Sequence, residues 1–259
     1  MSDETQRLHE VFLDIPRGLP RQGPGSEEST LKALSLCTGL PERLAILDIG
    51  CGLGRQTVAL VQTLADSHIT AVDLHPEYLS ELKDHAQAAR VADRIDRVAA
   101  DMHALPFPPQ RFDLIWAEGA AYIMGFDKAL VAWRRWLKSG GCLAVSELVW
   151  LRPDPPAEVA EFFAREYPAM THLETRVTAL RTSGYEPLGH VTLPDSDWWA
   201  DYDTPLEAKL PSLYDKYVGD EAALRLIETT EREIDLRRRF GAGYGYAFFV
   251  GRSVESRVG

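Results

Sequence analysis

The sequence predicts an α/β fold, a mostly parallel sheet of seven strands with helices on both faces. Two observations carry this expectation. From Arg43 onward, short β-type apolar runs alternate with stretches whose apolar residues recur every three to four positions, the pattern of parallel strands joined by crossover helices. One of those runs also leads straight into Gly50-Cys51-Gly52-Leu53-Gly54, a strand that turns abruptly into a helix.

The elements follow in order. Residues 1–25 hold Pro16, Gly18, Pro20, Gly23, Pro24 and Gly25, a density that breaks regular structure and marks a loop or arm. A helix begins at Ser26, whose hydroxyl can cap it, with Glu27 and Glu28 at the positive end of its dipole and Gly39 and Pro41 as its stop. Strands are expected at Leu44 to Ile49, Ile69 to Leu74, Arg97 to Ala100, Phe112 to Trp116 and Cys142 to Leu148. The intervening helices are signalled by Val58, Val61 and Leu64, by Leu79, Leu82 and Ala86, and by Leu130, Trp133 and Leu137, the last ended by Gly140 and Gly141. After Trp150 the rhythm changes: helical material runs to Ser183, a strand follows near Leu188 to Leu193, and Tyr244 to Arg252 closes the sheet. A single domain over 1–259 is expected, with an arm (1–25), a ligand-binding core (26–150) and a second half (151–259) that carries a helical insertion at about 204–240.

Of the 259 residues, 45% are hydrophobic and 26% charged, ordinary globular composition. A formal net charge of −11 repels phosphate backbones, which argues against a nucleic-acid partner. The one basic run, Arg237 to Arg239, is bracketed by Glu231, Glu233 and Asp235 and reads as a solvated helix face. Three cysteines, Cys37, Cys51 and Cys142, show neither paired nor metal-ligand spacing, so no metal site is expected. With neither a signal-type apolar run nor a membrane-length one, the cytoplasm is the expected compartment.

Chemistry concentrates in the glycine turn. Without a Cβ, glycine reaches positive φ and lets backbone N–H groups approach a ligand. Ala71-Val72-Asp73 ends the next strand, 19 residues after Gly54, and puts a carboxylate where it can accept both hydroxyls of a ribose. A nucleoside is therefore expected. In a dinucleotide fingerprint the third glycine lies three positions after the second, and here that position is Arg55.

With Gly54 as the third glycine and Asp48 ahead of the first, the stretch resembles the first motif of class I S-adenosylmethionine-dependent methyltransferases, which implies a Rossmann-like fold. Asp101-Met102, the Leu105-Pro106-Phe107 loop, Phe112 to Trp116 and Leu137-Lys138-Ser139-Gly140-Gly141 extend the resemblance to about Leu148. The arm from Leu19 to Ser26 and the segment Ala117-Glu118-Gly119-Ala120 resemble a bacterial subgroup of small-molecule methyltransferases. The resemblance implies S-adenosylmethionine as cofactor. Asp48 would orient the turn, Gly50, Cys51 and Gly52 would meet the methionine end, Asp73 and Leu74 the ribose side, and Asp101 and Met102 the adenine. The lesser alternative for Asp101 is a helix or turn cap at the strand end. The arm around Gln22 and Gly23 would cover the cofactor, its glycines serving as a hinge, and equally suits a disordered or merely structural N-terminus.

On the substrate side, Glu118 and Tyr122 follow the fourth strand, although Glu118 equally suits the cofactor ammonium or a backbone amide. Glu147 and His103 are weaker candidates. Trp198, Trp199 and Tyr202, interleaved with Asp195, Asp197, Asp201 and Asp203, suggest amine recognition, against simple packing under a helical lid. No catalytic base is assigned, since methyl transfer can run on positioning and exclusion of water. The expected activity is methyl transfer to a small molecule. The alternatives are a nicotinamide-dependent oxidoreductase or a non-catalytic S-adenosylmethionine-binding protein. A homodimer remains open.

Overall fold

A computed structural model describes residues 3–254. Five parallel strands form its centre: β1 (Leu44–Ile49), β2 (Ser67–Asp73), β3 (Ile95–Ala99), β4 (Phe112–Ala117) and β5 (Leu137–Trp150). A two-residue strand, β6 (Thr171–His172), pairs with the end of β5. The sheet closes with β7 (Tyr185–Thr192) and β8 (Tyr244–Ser253), in the order β3-β2-β1-β4-β5-β8-β7, with β8 antiparallel to both its neighbours. The seven expected strands are all present.

Order reverses at β1, whose neighbours are β2 on one side and β4 on the other. Such a switch point opens a crevice at the carboxyl ends of the strands, and the glycine turn sits there.

Alternation along each strand feeds two cores. Ile46, Leu114, Trp116 and Phe248 pack one face against α2 (Glu27–Leu34), α3 (Arg55–Thr63) and α4 (Pro76–Ala88). Leu47, Ile115, Val145 and Phe249 pack the other against α5 (Phe126–Trp133) and α7 (Leu173–Thr182). Between β5 and β6 runs α6 (Ala157–Glu166). A short helix, α8 (Ser196–Trp198), continues through a π-helical turn (Trp199–Asp203) into α9 (Thr204–Lys216), and α10 (Glu221–Phe240) precedes β8.

Three expectations need correction. The arm does not begin as a loop: α1 (Asp3–Asp14) precedes the proline and glycine run, and Val11, Ile15 and Leu19 bury themselves against Leu206, Leu210, Ile227 and Ile234 of α9 and α10. The insertion at 204–240 is two helices, broken at Gly219 with φ 85°. Leu137 opens β5 instead of ending α5, and Gly140 and Gly141 lie within that strand, near an irregularity where it pairs with Phe112 and Leu114.

Candidate active site

The three glycines of the turn have φ of 71°, 51° and 74° at positions 50, 52 and 54. Their surroundings divide the labour. A Cβ on Gly54 would stand 2.0 Å from Leu82 Cδ1, so this glycine lets α4 close on the turn. One on Gly50 would stand 2.5 Å from Ala120 Cβ, so this glycine lets the segment after β4 close from the other side. Next to Gly52 there is only Gln22 Cγ, at 3.7 Å. At Gly52 the turn therefore faces the crevice with Gln22 of the arm as its nearest cover, while the Gly50 and Cys51 N–H groups bond the Val72 carbonyl at 2.8 and 3.0 Å.

Carboxylates hold the turn from below and beside. Asp48 is fully buried and accepts hydrogen bonds from Thr57 Oγ1 at 2.6 Å and Gln56 Nε2 at 3.3 Å, while that same amide donates to the Cys51 carbonyl at 3.0 Å. Burial pushes the Asp48 carboxyl up to about 7, aided by Glu118 and Asp73 and opposed by the Thr57 and Gln56 hydrogen bonds. Asp73, at the tip of β2, accepts from the Gly52 N–H at 2.9 Å and the His75 N–H at 3.0 Å. It is the one carboxylate that clasps the open part of the turn. Beyond it Leu74 is 58% exposed, an apolar surface at the rim. Cys51 is buried, and burial raises its thiol well above the usual range, which makes it a packing residue and no nucleophile.

Past β3, exposed Asp101 accepts from the His103 N–H at 2.9 Å and from His103 Nδ1 at 2.7 Å, and these bonds hold its carboxyl below the usual range. The turn-capping role open to it in the sequence is thus realised, and His103 is engaged by it. Met102 packs into the second core and reaches the turn, its Cε lying 3.6 Å from where a Gly50 Cβ would be.

The arm is tied down at several points. Pro20 O accepts from Arg55 Nε at 3.2 Å, Asp197 O from the Gly25 N–H at 3.0 Å, and Pro16 O from Gln22 Nε2 at 3.1 Å. Gln22 Oε1 is buried with no partner among the described residues. Around Gln22, with Leu53, Glu77 and Tyr78, lies a cavity of about 400 Å³. Gly23 is half-buried with open space beside it.

Glu118 is fully engaged. Its Oε2 accepts from Arg21 Nη2 at 2.8 Å, and its Oε1 from Thr30 Oγ1 at 2.7 Å and Trp116 Nε1 at 2.9 Å. It thereby joins the arm, α2 and the end of β4. The sequence offered Arg21 only as part of the arm and gave no signal for Thr30.

Tyr122, 40% exposed, stands edge-on to Tyr167 with ring centroids 6.3 Å apart. The Tyr167 hydroxyl donates to Glu147 Oε1 at 2.6 Å, and burial pushes the Glu147 carboxyl up. Trp199 is not in this group. Its Nε1 donates to Asp195 at 2.9 Å, Arg238 covers its ring at 5.1 Å, and it lines a separate outer cleft of about 710 Å³ with Glu207 and Arg237. Among the described residues no cluster of metal-ligating side chains occurs, and no helix is long and apolar enough to cross a membrane.

Residues 46–141 match the family described as methyltransferase domain. Over 221 residues, 82% of this chain and 78% of the relative, the sequence is 28% identical to 27-O-demethylrifamycin SV methyltransferase of Amycolatopsis mediterranei (strain S699). It is 28% identical over 130 residues to the ubiquinone/menaquinone biosynthesis C-methyltransferase UbiE of Psychromonas ingrahamii, and there it spans 52% of the relative's length. Among solved structures, an S-adenosylmethionine-dependent methyltransferase from Geobacter sulfurreducens in complex with S-adenosyl-L-homocysteine superposes with a TM-score of 0.76 at 17% identity, covering 93% of this chain and 97% of that one. The 4+2 cyclase SpnF superposes with 0.74 at 19% identity, covering 98% and 95%.

In sheet order, glycine turn and matched domain this chain has the features of a class I S-adenosylmethionine-dependent methyltransferase. Its cofactor is S-adenosylmethionine and its activity is methyl transfer; the nicotinamide reading falls away.

Proposed function

We propose that the crevice between the glycine turn and the arm holds S-adenosylmethionine, and that the methyl group passes to a small-molecule acceptor bound past the ends of β4 and β5. One observation carries this reading: the Asp73 carboxylate grips the N–H of Gly52, the glycine whose surroundings are left open. The Val72 carbonyl holds the Gly50 and Cys51 N–H groups at 2.8 and 3.0 Å and Asp73 holds that of Gly52, so the turn is a rigid wall without side-chain bulk at Gly52, flanked by the apolar surfaces of Leu74 and Met102. The unpartnered Gln22 Oε1 supplies a buried acceptor from the arm side, with Gly23 beside it. These features suit a nucleoside with a polar tail.

The cofactor, when bound, supplies an activated methyl group. The chain's own contribution is positional. Asp48 fixes the turn through Thr57 and Gln56, Asp73 binds from the rim, and Asp101 is available at the far end. Glu118 acts indirectly, by anchoring Arg21 so that the arm covers the site and keeps water out. Tyr122 borders the acceptor. Trp199 stays outside this set in our reading. The relatives named above are a methyltransferase of 27-O-demethylrifamycin SV and a C-methyltransferase of ubiquinone/menaquinone biosynthesis, which supports a small acceptor, and the net charge of −11 argues against nucleic acid.

Transfer of labelled methyl from S-adenosylmethionine to acceptors in a metabolite extract tests the proposal. Expected is label in a small organic product, lost in Asp73→Ala. Binding of S-adenosylhomocysteine without any transfer would favour a non-catalytic binding protein.

A further inference from the structure

A second polar group lies between the ends of β4, β5 and β8 and the helices above them, away from the glycine turn. Its centre is Glu233 of α10. One turn further along, Arg237 points to the sheet, where it stacks over Trp198 at 4.1 Å and donates to the Tyr244 carbonyl at 2.7 Å, so Glu233 shares the inward face of the helix. Glu233, Tyr202 and Tyr246 are each half-buried.

Among the described residues the Glu233 carboxylate has no hydrogen bond and no ion pair. The cations near it are taken: Arg237 pairs with Asp195 at 2.7 Å and Arg238 with Glu207 at 2.7 Å. Its charged neighbours are acids, Glu166 from α6 and Asp203 from the π-helical turn. Tyr122, Tyr202, Tyr244 and Tyr246 all feel its charge. Four further polar atoms here are buried and without partner among the described residues, Asp203 Oδ2, the Tyr244 hydroxyl, Trp198 Nε1 and Arg237 Nε, on residues 4%, 0%, 2% and 4% exposed. A half-buried carboxylate without a protein partner is completed by a cation, and aromatic faces are where organic cations bind.

We propose that Glu233, with Tyr122, Tyr202, Tyr244, Tyr246 and Asp203, is the cation-binding end of the acceptor site, so that the acceptor is a small molecule carrying an ammonium group. This rests on the methyl-transfer reading above and names its substrate class. It also moves amine recognition away from Trp199, whose ring Arg238 already covers. Burial pushes the Glu233 and Asp203 carboxyls up to about 7, so the space gains negative charge, and affinity for a cation, as pH rises through that value. The groups facing this titration are Glu166, Glu207, the four tyrosines, Arg237 and Arg238.

The test is calorimetric titration with two matched pairs, choline against 3,3-dimethylbutan-1-ol and tyramine against tyrosol, with and without saturating S-adenosylhomocysteine. Expected at pH 8 is at least tenfold tighter binding of the cation in one pair or both. Glu233→Gln should erase that preference while leaving the S-adenosylhomocysteine affinity unchanged, and lowering the pH to 6 should weaken the cation alone. Equal affinity within both pairs, no heat from any of the four, or an undiminished preference in a folded Glu233→Gln would overturn the proposal. Should that variant fail to fold, the pair preference and its pH dependence in the unaltered protein decide the matter. Failure to bind S-adenosylhomocysteine would instead count against the cofactor site, which the titrations without it keep separate.

Discussion

Replacing Gly54 by alanine tests whether the turn is shaped by packing as the structure indicates. Two costs coincide there. The residue has φ 74°, where a Cβ meets the following carbonyl at a cost of about 1–2 kcal/mol. The new methyl group would also lie 2.0, 2.8 and 3.0 Å from Leu82 Cδ1, Cγ and Cβ. Rotation of Leu82 relieves the first of these contacts and leaves the third, because Cβ moves only with the backbone of α4. Overpacking of this kind costs about 1–3 kcal/mol, so the variant should lose about 2–5 kcal/mol in all. Urea denaturation of Gly54→Ala, of Leu82→Ala and of the double variant separates the two parts. With Leu82 cut back to its Cβ, the 2.0 and 2.8 Å contacts disappear and the loss should fall towards the backbone cost of about 1–2 kcal/mol, with the 3.0 Å Cβ contact alone left of the packing part. A loss of the same size in both backgrounds, or one below about 1 kcal/mol in the parent, would refute the packing account.

Stability should also report on Asp48. Its folded-state pKa, about 7, lies above the usual carboxylate value, so its contribution is fully present below about pH 4 and is lost as pH rises to 7. Asp48→Asn keeps an acceptor for Thr57 and should flatten that part of the stability profile, as measured by denaturation at pH 5 and pH 8. Arg21→Ala removes the arm's ion pair with Glu118, in which both side chains are 10% exposed. It should speed proteolytic cutting between residues 17 and 25 and weaken S-adenosylhomocysteine binding several-fold, whereas unchanged cutting would mean that other contacts hold the arm. Tyr167→Phe takes one of two donors from the buried Glu147 Oε1 and should cost about 1–3 kcal/mol in thermal or urea unfolding.

The sequence and the structure agree where information is local. Each central strand is an apolar run next to a helix whose face repeats every three to four residues, and the glycine turn lies within nine consecutive positions, 46–54. Disagreement begins where distant partners decide. Pro16 and the glycines after it do end regular structure, but α1 stands before them because Val11 and Ile15 find an apolar groove on α9 and α10. Leu137 fits a helical spacing with Leu130 and Trp133, yet pairing with Phe112 draws it into β5. In the site, Asp73 was legible because it ends a strand at a fixed distance from the turn. The roles of Arg21 and Thr30 were not, since they meet Glu118 across 97 and 88 residues. Glu233 reads as one more charge on a charged helix, and only the packing of α10 over β8 distinguishes it from its exposed neighbours.

The account depends most on the clasp between Asp73 and the turn. Calorimetric titration of S-adenosylhomocysteine into the unaltered protein and into Asp73→Asn addresses it directly. One site per chain is expected, with affinity falling at least about tenfold in the variant, the scale of one hydrogen bond to a charged group. Absence of heat in the unaltered protein, or equal affinity in a folded Asp73→Asn, would contradict it.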